Sequence, residues 1–346
     1  MNSALTNPAD LKKTERPAST EVSSGPRQGP SASRPTLWGH IQIARIDHWF
    51  KNVFVFPGVI VAIGLDPSLL SAPGLLTRLG LGLLAICLVA SSNYVINEVL
   101  DAPHDRQHPT KCQRPVPSGK VSVPLAYVQW LLLMVAGLGI ALQVSAPFAV
   151  TMLVLWIMGC LYNIPPVRSK DLPYVDVLSE AVNNPLRMLA GWYIAGSLIV
   201  PPTSLLLSYW MIGCYFMAMK RFAEYRHIDD AVRAAAYRKS FSFYTEPRLL
   251  VSVMFYGSAA MLFFGSFLIR YRFELILSFP MLALVMATYL SLAFKEDSAV
   301  QRPEGLYREP TLMAAVIGCT VVMALLMFTD IPFLYETFNP SLPLSK

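Results

Sequence analysis

Long apolar runs alternate with short polar, proline-rich connections over most of this chain. Nine windows read as helices able to cross a bilayer: 50–65, 77–97, 122–143, 146–162, 178–198, 203–219, 249–268, 273–294 and 311–335. A hydrocarbon layer of about 30 Å takes roughly 17–25 apolar residues per helix. Within it, only helices and closed barrels satisfy their own backbone hydrogen bonds. The first window is the shortest. The fifth carries polar residues that a strict hydropathy threshold would reject. The pattern predicts an all-α, polytopic integral membrane protein with its membrane domain over residues 41–340 and a tail over residues 1–40. Residues 1–36 are rich in charge, proline and serine and have no apolar core. Such a stretch is not a cleaved secretory leader, and it buries too little apolar surface to offset its ordering entropy, so it reads as disordered.

Composition agrees. The chain has 346 residues, 54% of them hydrophobic and 14% charged, against about 25% charged in an average soluble chain. The 28 Lys and Arg residues are unevenly distributed. Nearly all precede the first window or lie in the 98–121, 163–177, 220–248 and 295–310 connections. The opposite face holds only Arg78, Arg270, Arg272 and Lys346, and Arg187 lies inside the fifth window. Basic loops stay cytoplasmic. The expected topology is multi-pass in the inner (plasma) membrane, with the N-terminus and long loops in the cytoplasm and the C-terminus outside. This charge bias sets topology and says little about chemistry; no nucleic-acid partner is expected. The five cysteines have no metal-ligand spacing and the five histidines no HxxH or HExxH pattern, which gives little support to zinc or haem.

The acidic residues are more informative. After the second window comes Asn97-Glu98-Val-Leu-Asp101-Ala-Pro-His-Asp105. On a helix, positions 97, 101 and 105 share a face, with Glu98 beside Asp101. Pro103 predicts that the helix ends or kinks just before it, leaving Asp105 beyond the last regular turn. Three carboxylates within eight residues repel one another unless a cation neutralises them. Mg²⁺ suits oxygen ligands and takes one or two carboxylates plus waters and substrate phosphates. A solvated loop is the plainer reading, but Lys111 and Arg114 follow closely. A second stripe, Asp176-x-x-x-Glu180-x-x-Asn183-Asn184-x-x-Arg187, runs along the fifth window. Intramembrane charges face a protein interior or a watery cavity. A structural Glu180–Arg187 pair is the simpler alternative. Lys220-Arg221-x-x-Glu224 closes the sixth window, where helix-dipole stabilisation alone would favour the cations. Arg45-x-x-His48-Trp49-x-Lys51-Asn52 precedes the first and also reads as an interfacial anchor.

The combination resembles the UbiA superfamily of intramembrane prenyltransferases. Asn97-Glu98-x-x-Asp101-x-x-x-Asp105 resembles its first acidic motif, with Glu98 where the family usually has Asp, and Asp176-x-x-x-Glu180 resembles its second. Arg45…Asn52, His108-Pro-x-Lys111-x-x-Arg114-Pro, Leu186-Arg187-x-x-Ala-Gly191, Lys220-Arg221-x-Ala-Glu224 and Arg302-Pro-Glu304…Arg308-Glu309 are most similar to its decaprenyl-phosphate phosphoribosyltransferase branch. The resemblance spans roughly residues 40–335. It implies a nine-helix bundle with a cytoplasm-facing polar cavity. The implied reaction is Mg²⁺-dependent transfer of 5-phosphoribose from phosphoribosyl pyrophosphate (PRPP) to a polyprenyl phosphate, a precursor of lipid-linked arabinose. The implied metal residues are Asn97, Glu98, Asp101 and Asp105, and the implied catalytic residues are Asp101, Asp105, Asp176 and Glu180. Substrate contacts fall to Trp49, Lys51, Asn97, Lys111, Arg114, Tyr162, Lys170, Asn184, Arg187, Lys220, Arg221 and Glu224. A prenyltransferase acting on an aromatic acceptor and a non-catalytic transporter or lipid-binding protein are the alternatives. A homo-oligomer is compatible with the sequence, which does not give the polyprenyl length.

Overall fold

The computed structural model describes residues 34–106, 111–228, 230–295, 298–301 and 303–338. Most of the expected tail, His108 and Arg302 lie outside the described residues. All regular structure in the described residues is helical. The helices are α1 (Leu37–Ile43), α2 (Phe56–Leu65), α3 (Leu75–Asp105), α4 (Val123–Val144), α5 (Ala146–Asn163), α6 (Val175–Ala181), α7 (Asn183–Ile194), α8 (Thr203–Ile228), α9 (Ala231–Tyr237), α10 (Glu246–Tyr271), α11 (Phe279–Ala293), α12 (Pro310–Met327) and α13 (Pro332–Phe338). Helix α1 begins inside the stretch expected to be tail and runs three residues past it. Thr36 caps it, its side chain accepting from Gly39 N at 3.0 Å.

Two apolar cores organise the bundle. One joins α2, α3, α5 and α7 through Val55, Ala62, Ile86, Val89, Phe148, Met152, Trp192 and Ile194. The other joins α8, α10, α11 and α12 through Phe222, Leu249, Tyr256, Val285, Leu292 and Leu312. A smaller cluster including Met188, Leu205, Phe264, Phe267 and Met327 connects them. Outward faces carry large exposed apolar side chains such as Leu132, Leu142, Met254, Leu262 and Leu325. In water such a surface would be unfavourable; against lipid it is ordinary.

Among the described residues, seven segments are long and apolar enough to cross a membrane: Leu37–Leu65, Leu75–Asp105, Val123–Val144, Ala146–Asn163, Glu246–Tyr271, Phe273–Ala293 and Pro310–Met327. The protein is a multi-pass membrane protein. The two other expected windows are helical but do not reach that threshold. The 178–198 window is broken between Ala181 and Asn183 into α6 and α7, with Pro185 removing one backbone donor from the first turn of α7. The 203–219 window is the first part of α8, which runs on to Ile228.

One expectation is corrected. Helix α3 does not stop before Pro103; it continues to Asp105, and Arg106 N bonds Ala102 O at 3.1 Å. A proline in the last turn removes a single helical hydrogen bond, and the helix tolerates that loss. Asp105 is therefore helical, on the face it shares with Asn97 and Asp101.

Candidate active site

The polar residues converge where α3, α5, α6 and α8 end or begin. The last turns of α3 contribute the first acidic motif. Asp101 Oδ1 receives Lys170 Nζ at 2.6 Å and Arg168 Nη2 at 3.0 Å. Lys170 also bonds Asn97 Oδ1 at 3.2 Å and Asn163 Oδ1 at 2.9 Å. Asp105 pairs with Arg114 at 2.8 Å. Burial pushes the Lys170 amine below its usual range, and the Asp101 charge opposes that shift. Lys111 is likewise lowered by burial, and Asp105 opposes it. Glu98 differs from its neighbours. Only 3% exposed, it accepts from Val116 N at 3.0 Å and so ties α3 to the 111–121 connection.

The second motif is organised around Arg221 of α8, which is 1% exposed. Its guanidinium reaches Asp176 Oδ2 at 3.2 Å, Glu180 Oε2 at 2.8 Å and Glu224 Oε2 at 3.2 Å. Tyr162 of α5 donates to Glu180 Oε2 at 2.8 Å. Asp176 is fully buried and also receives Tyr244 Oη at 2.7 Å and Ser240 Oγ at 3.2 Å. Burial alone would raise the Glu224 carboxyl. The Arg221, Lys220 and Arg238 charges overcome that and hold it below its usual range. The break at Val182 separates the stripe. Glu180 goes to Arg221, whereas Arg187 on α7 donates to Asn52 Oδ1 at 3.2 Å. The simple Glu180–Arg187 pair is not formed.

A third group lies between α1 and α2. Trp49 Nε1 donates to Ser91 Oγ at 2.9 Å, and Lys51 Nζ lies 3.4 Å from His48 Nδ1. His48 also contacts Arg45 and stands edge-on to Tyr94, with centroids 5.3 Å apart. Asn184 packs against Gly213 of α8, where an added methyl would collide with its Nδ2. Lys220 is half-buried and acts on Glu224 through its charge.

Lys170 therefore bridges Asn97 and Asp101; Tyr162, Glu180, Arg221 and Glu224 form a second connected set. Sequence reasoning did not single out Arg168, Asn163, Ser240 or Tyr244 as site residues. Arg168 was legible as a basic residue beside Lys170, but its left-handed backbone (φ 33°), which turns the loop back toward α3, was not. Ser240 and Tyr244 lie more than sixty residues from Asp176 and carry no local pattern. Among the described residues, no three His, Cys, Asp or Glu side chains gather into a closed metal site. The end of α3 instead offers a few hard oxygen donors surrounded by cations.

Comparison with known proteins identifies the family of the chain. The UbiA prenyltransferase family profile matches residues 52–306. The chain is 30% identical, over 64% of its own length and 67% of the relative's, to decaprenyl-phosphate phosphoribosyltransferase of Mycolicibacterium smegmatis. It is 29% identical, over 66% and 72%, to the Mycobacterium tuberculosis protein of the same name. The fold is similar to that of a UbiA homologue from Archaeoglobus fulgidus solved with DMAPP and Mg²⁺, with a TM-score of 0.64 and 21% identity over 83% of this chain and 99% of that one. This chain is a transferase and belongs to the UbiA prenyltransferase family.

Proposed function

We propose that this protein transfers 5-phosphoribose from PRPP to a polyprenyl phosphate, releasing diphosphate. The observation that carries the reading is the contact between carboxylates and cations at the end of α3: Asp101 with Lys170 and Arg168, and Asp105 with Arg114. The names of the two mycobacterial relatives support the same donor and acceptor classes.

The donor set fits Mg²⁺ that arrives with a diphosphate. Asp101, Asp105 and the Asn97 amide supply hard oxygens but too few for a cage, leaving ligand positions for phosphate and water. When bound, Mg²⁺ would supply Lewis-acid neutralisation of the leaving diphosphate. Lys170, Arg168 and Arg114 exchange carboxylate partners for diphosphate oxygens. The ribose C1–O bond to diphosphate breaks with its electron pair leaving on the diphosphate, and an oxygen of the lipid phosphate forms the new bond to C1. The protein's cations hold two polyanions together against their repulsion in a partly desolvated site. Glu180 and Tyr162 position ribose hydroxyls. Arg187, Lys51 and Trp49 hold the acceptor headgroup, and Lys111, Lys220 and Arg221 balance the remaining charge with Glu224. Asp176 and Glu98, both sealed within protein contacts, position their neighbours. The site faces the cytoplasm in an inner-membrane bundle of nine spans, with α6–α7 and α8 as the two polar ones and residues 1–40 as a cytoplasmic tail.

The test uses purified protein, labelled PRPP and a polyprenyl phosphate, with and without EDTA. A labelled lipid that disappears with EDTA is expected. Diphosphate release from a prenyl diphosphate but not from PRPP would replace the sugar donor by a prenyl donor. Release from neither would overturn catalysis.

A further inference from the structure

Helix α9 is followed by Arg238 in an extended conformation (φ −150°, ψ 128°) and a 3₁₀ turn over Lys239–Ser242. This segment is fastened on both sides. Lys111 Nζ lies 4.7 Å over the Tyr237 ring, and Ser240 and Tyr244 bond Asp176. Arg238 is thus held between the two acidic motifs. Its backbone N bonds Ala234 O at 3.0 Å, and its carbonyl accepts from Phe241 N at 2.9 Å.

Its guanidinium is different from those around it. Arg221 touches three carboxylates, Arg114 touches Asp105, and Lys170 touches Asp101. The Arg238 side chain makes no hydrogen bond or ion pair among the described residues, and its Nε is sealed from solvent without a partner. Only the Phe241 ring, 5.9 Å away, accompanies it. A buried N–H of a charged group left unpaired is costly. The charges of Glu224, Glu180 and Arg221 act on Arg238 without contact, and Lys170 feels it in turn. It is a cation between the two acidic motifs that no carboxylate of the described residues contacts.

We propose that Arg238 binds the 5-phosphate of the sugar donor and so selects a phosphorylated ribose over a prenyl diphosphate. This rests on the reading of PRPP as donor. Three anionic groups, the diphosphate, the lipid phosphate and the 5-phosphate, need cations there. The diphosphate takes those already gathered on Asp101 and Asp105. The lipid phosphate, tethered to the bilayer, takes those near α2 and α7. Arg238 is left for the third, and an anion bound there would break no ion pair among the described residues. Tyr162 and Glu180 lie within electrostatic range, where ribose hydroxyls would sit next to the 5-phosphate. A prenyl diphosphate has no second anion to place there.

The experiment compares full-length wild type, Arg238→Gln and Arg238→Lys in detergent, measuring KM and kcat for PRPP, inhibition by inorganic pyrophosphate, and melting temperature. In Arg238→Gln, KM for PRPP should rise about ten- to a hundredfold, the range for a lost charge-assisted hydrogen bond. Pyrophosphate inhibition should stay within about twofold of wild type, and Arg238→Lys should recover part of the loss. An unchanged KM overturns the assignment. Equal weakening towards pyrophosphate overturns it by moving Arg238 to the leaving group, and a lowered melting temperature with unchanged KM makes the residue structural. Wild-type protein that neither binds nor uses PRPP would sink the functional reading itself, and this assignment with it.

Discussion

Asp101 and Asp176 are both aspartates beside a helix end, and their surroundings give them different work. Asp101 is partly open and holds Lys170 and Arg168. Asp176 is closed in by Tyr244, Ser240 and Arg221. Asp101→Asn keeps the side-chain volume, and Lys170 keeps its bond to Asn163. We expect turnover to fall by about a hundredfold or more, the scale for removing one preorganised electrostatic contact, with an unchanged melting temperature; a kinetic assay beside thermal unfolding in detergent checks both. Arg221→Met should behave in the opposite way. It leaves Asp176, Glu180 and Glu224 without their shared cation, and removing one partner of a buried ion pair costs about 3–5 kcal/mol, so a large drop in melting temperature is expected. Glu224 adds a pH dependence. Its folded pKa lies below the ordinary 4.5, so it contributes stability above that pH, and the contribution is lost as pH falls through the folded value. The acid-induced loss of melting temperature should be smaller in Glu224→Gln than in wild type. The sequence made the acidic residues visible because charges in an apolar chain stand out. It did not reveal their partners: nothing local links Asp176 to Tyr244 or Asp101 to Arg168, and only the fold brings such distant positions together.

At the scale of elements, the crossing of α2 and α7 sets the position of Arg187 relative to Asn52. Two glycines permit it. A Cβ at Gly58 would run into the Met188 carbonyl oxygen, and one at Gly191 into the Val55 carbonyl oxygen. Both obstacles are backbone, so neither can move aside as a side-chain tip would. Close helix contacts in membranes depend on such small residues. Gly58→Ala and Gly191→Ala should each cost about 1–3 kcal/mol by overpacking and should reduce activity by displacing Arg187. Gly139→Ala on α4, where nothing lies within 4 Å of an added Cβ, should leave both melting temperature and turnover unchanged. If all three variants melted alike, the α2–α7 contact would not be limiting. The apolar windows were legible because their length matches a physical thickness. Their interruptions were less so. Pro103 signals a stop but falls in a last turn that loses only one bond, whereas the break at Val182 shows only as a polar stripe with Pro185 inside it. The positions of Gly58 and Gly191 are plain in the sequence, but that each faces backbone of the opposite segment is a tertiary fact.

For the whole molecule, charge decides how many segments cross the bilayer. Among the described residues, seven segments qualify by length and apolarity, and α6–α7 and α8 are marginal because they carry the second acidic motif and its cations. If neither crossed, residues 199–202 would lie on the same side as the 163–177 and 220–248 connections. The Lys and Arg distribution opposes this. The 194–203 stretch has no basic residue, while the connections on either side are rich in them, and basic loops are retained in the cytoplasm. Ile199 and Val200 are also strongly exposed apolar side chains between the two helices. Crossing by α6–α7 and by α8 would place Asp176 and Glu180 on α6, and Arg221 and Glu224 on α8, at the cytoplasmic ends of these segments, level with Asp101 and Asp105. Both acidic motifs would then serve one site. Truncated reporter fusions decide the matter. An alkaline phosphatase fusion after Pro202 should be active and a GFP fusion there dark, with the reverse result after Ile228. Phosphatase silent at both positions would reduce the bundle to seven spans. The second motif would still sit on the cytoplasmic side, but α7 and α8 would then rest in the interface, where their burial against α2, α3 and α10 would have no explanation.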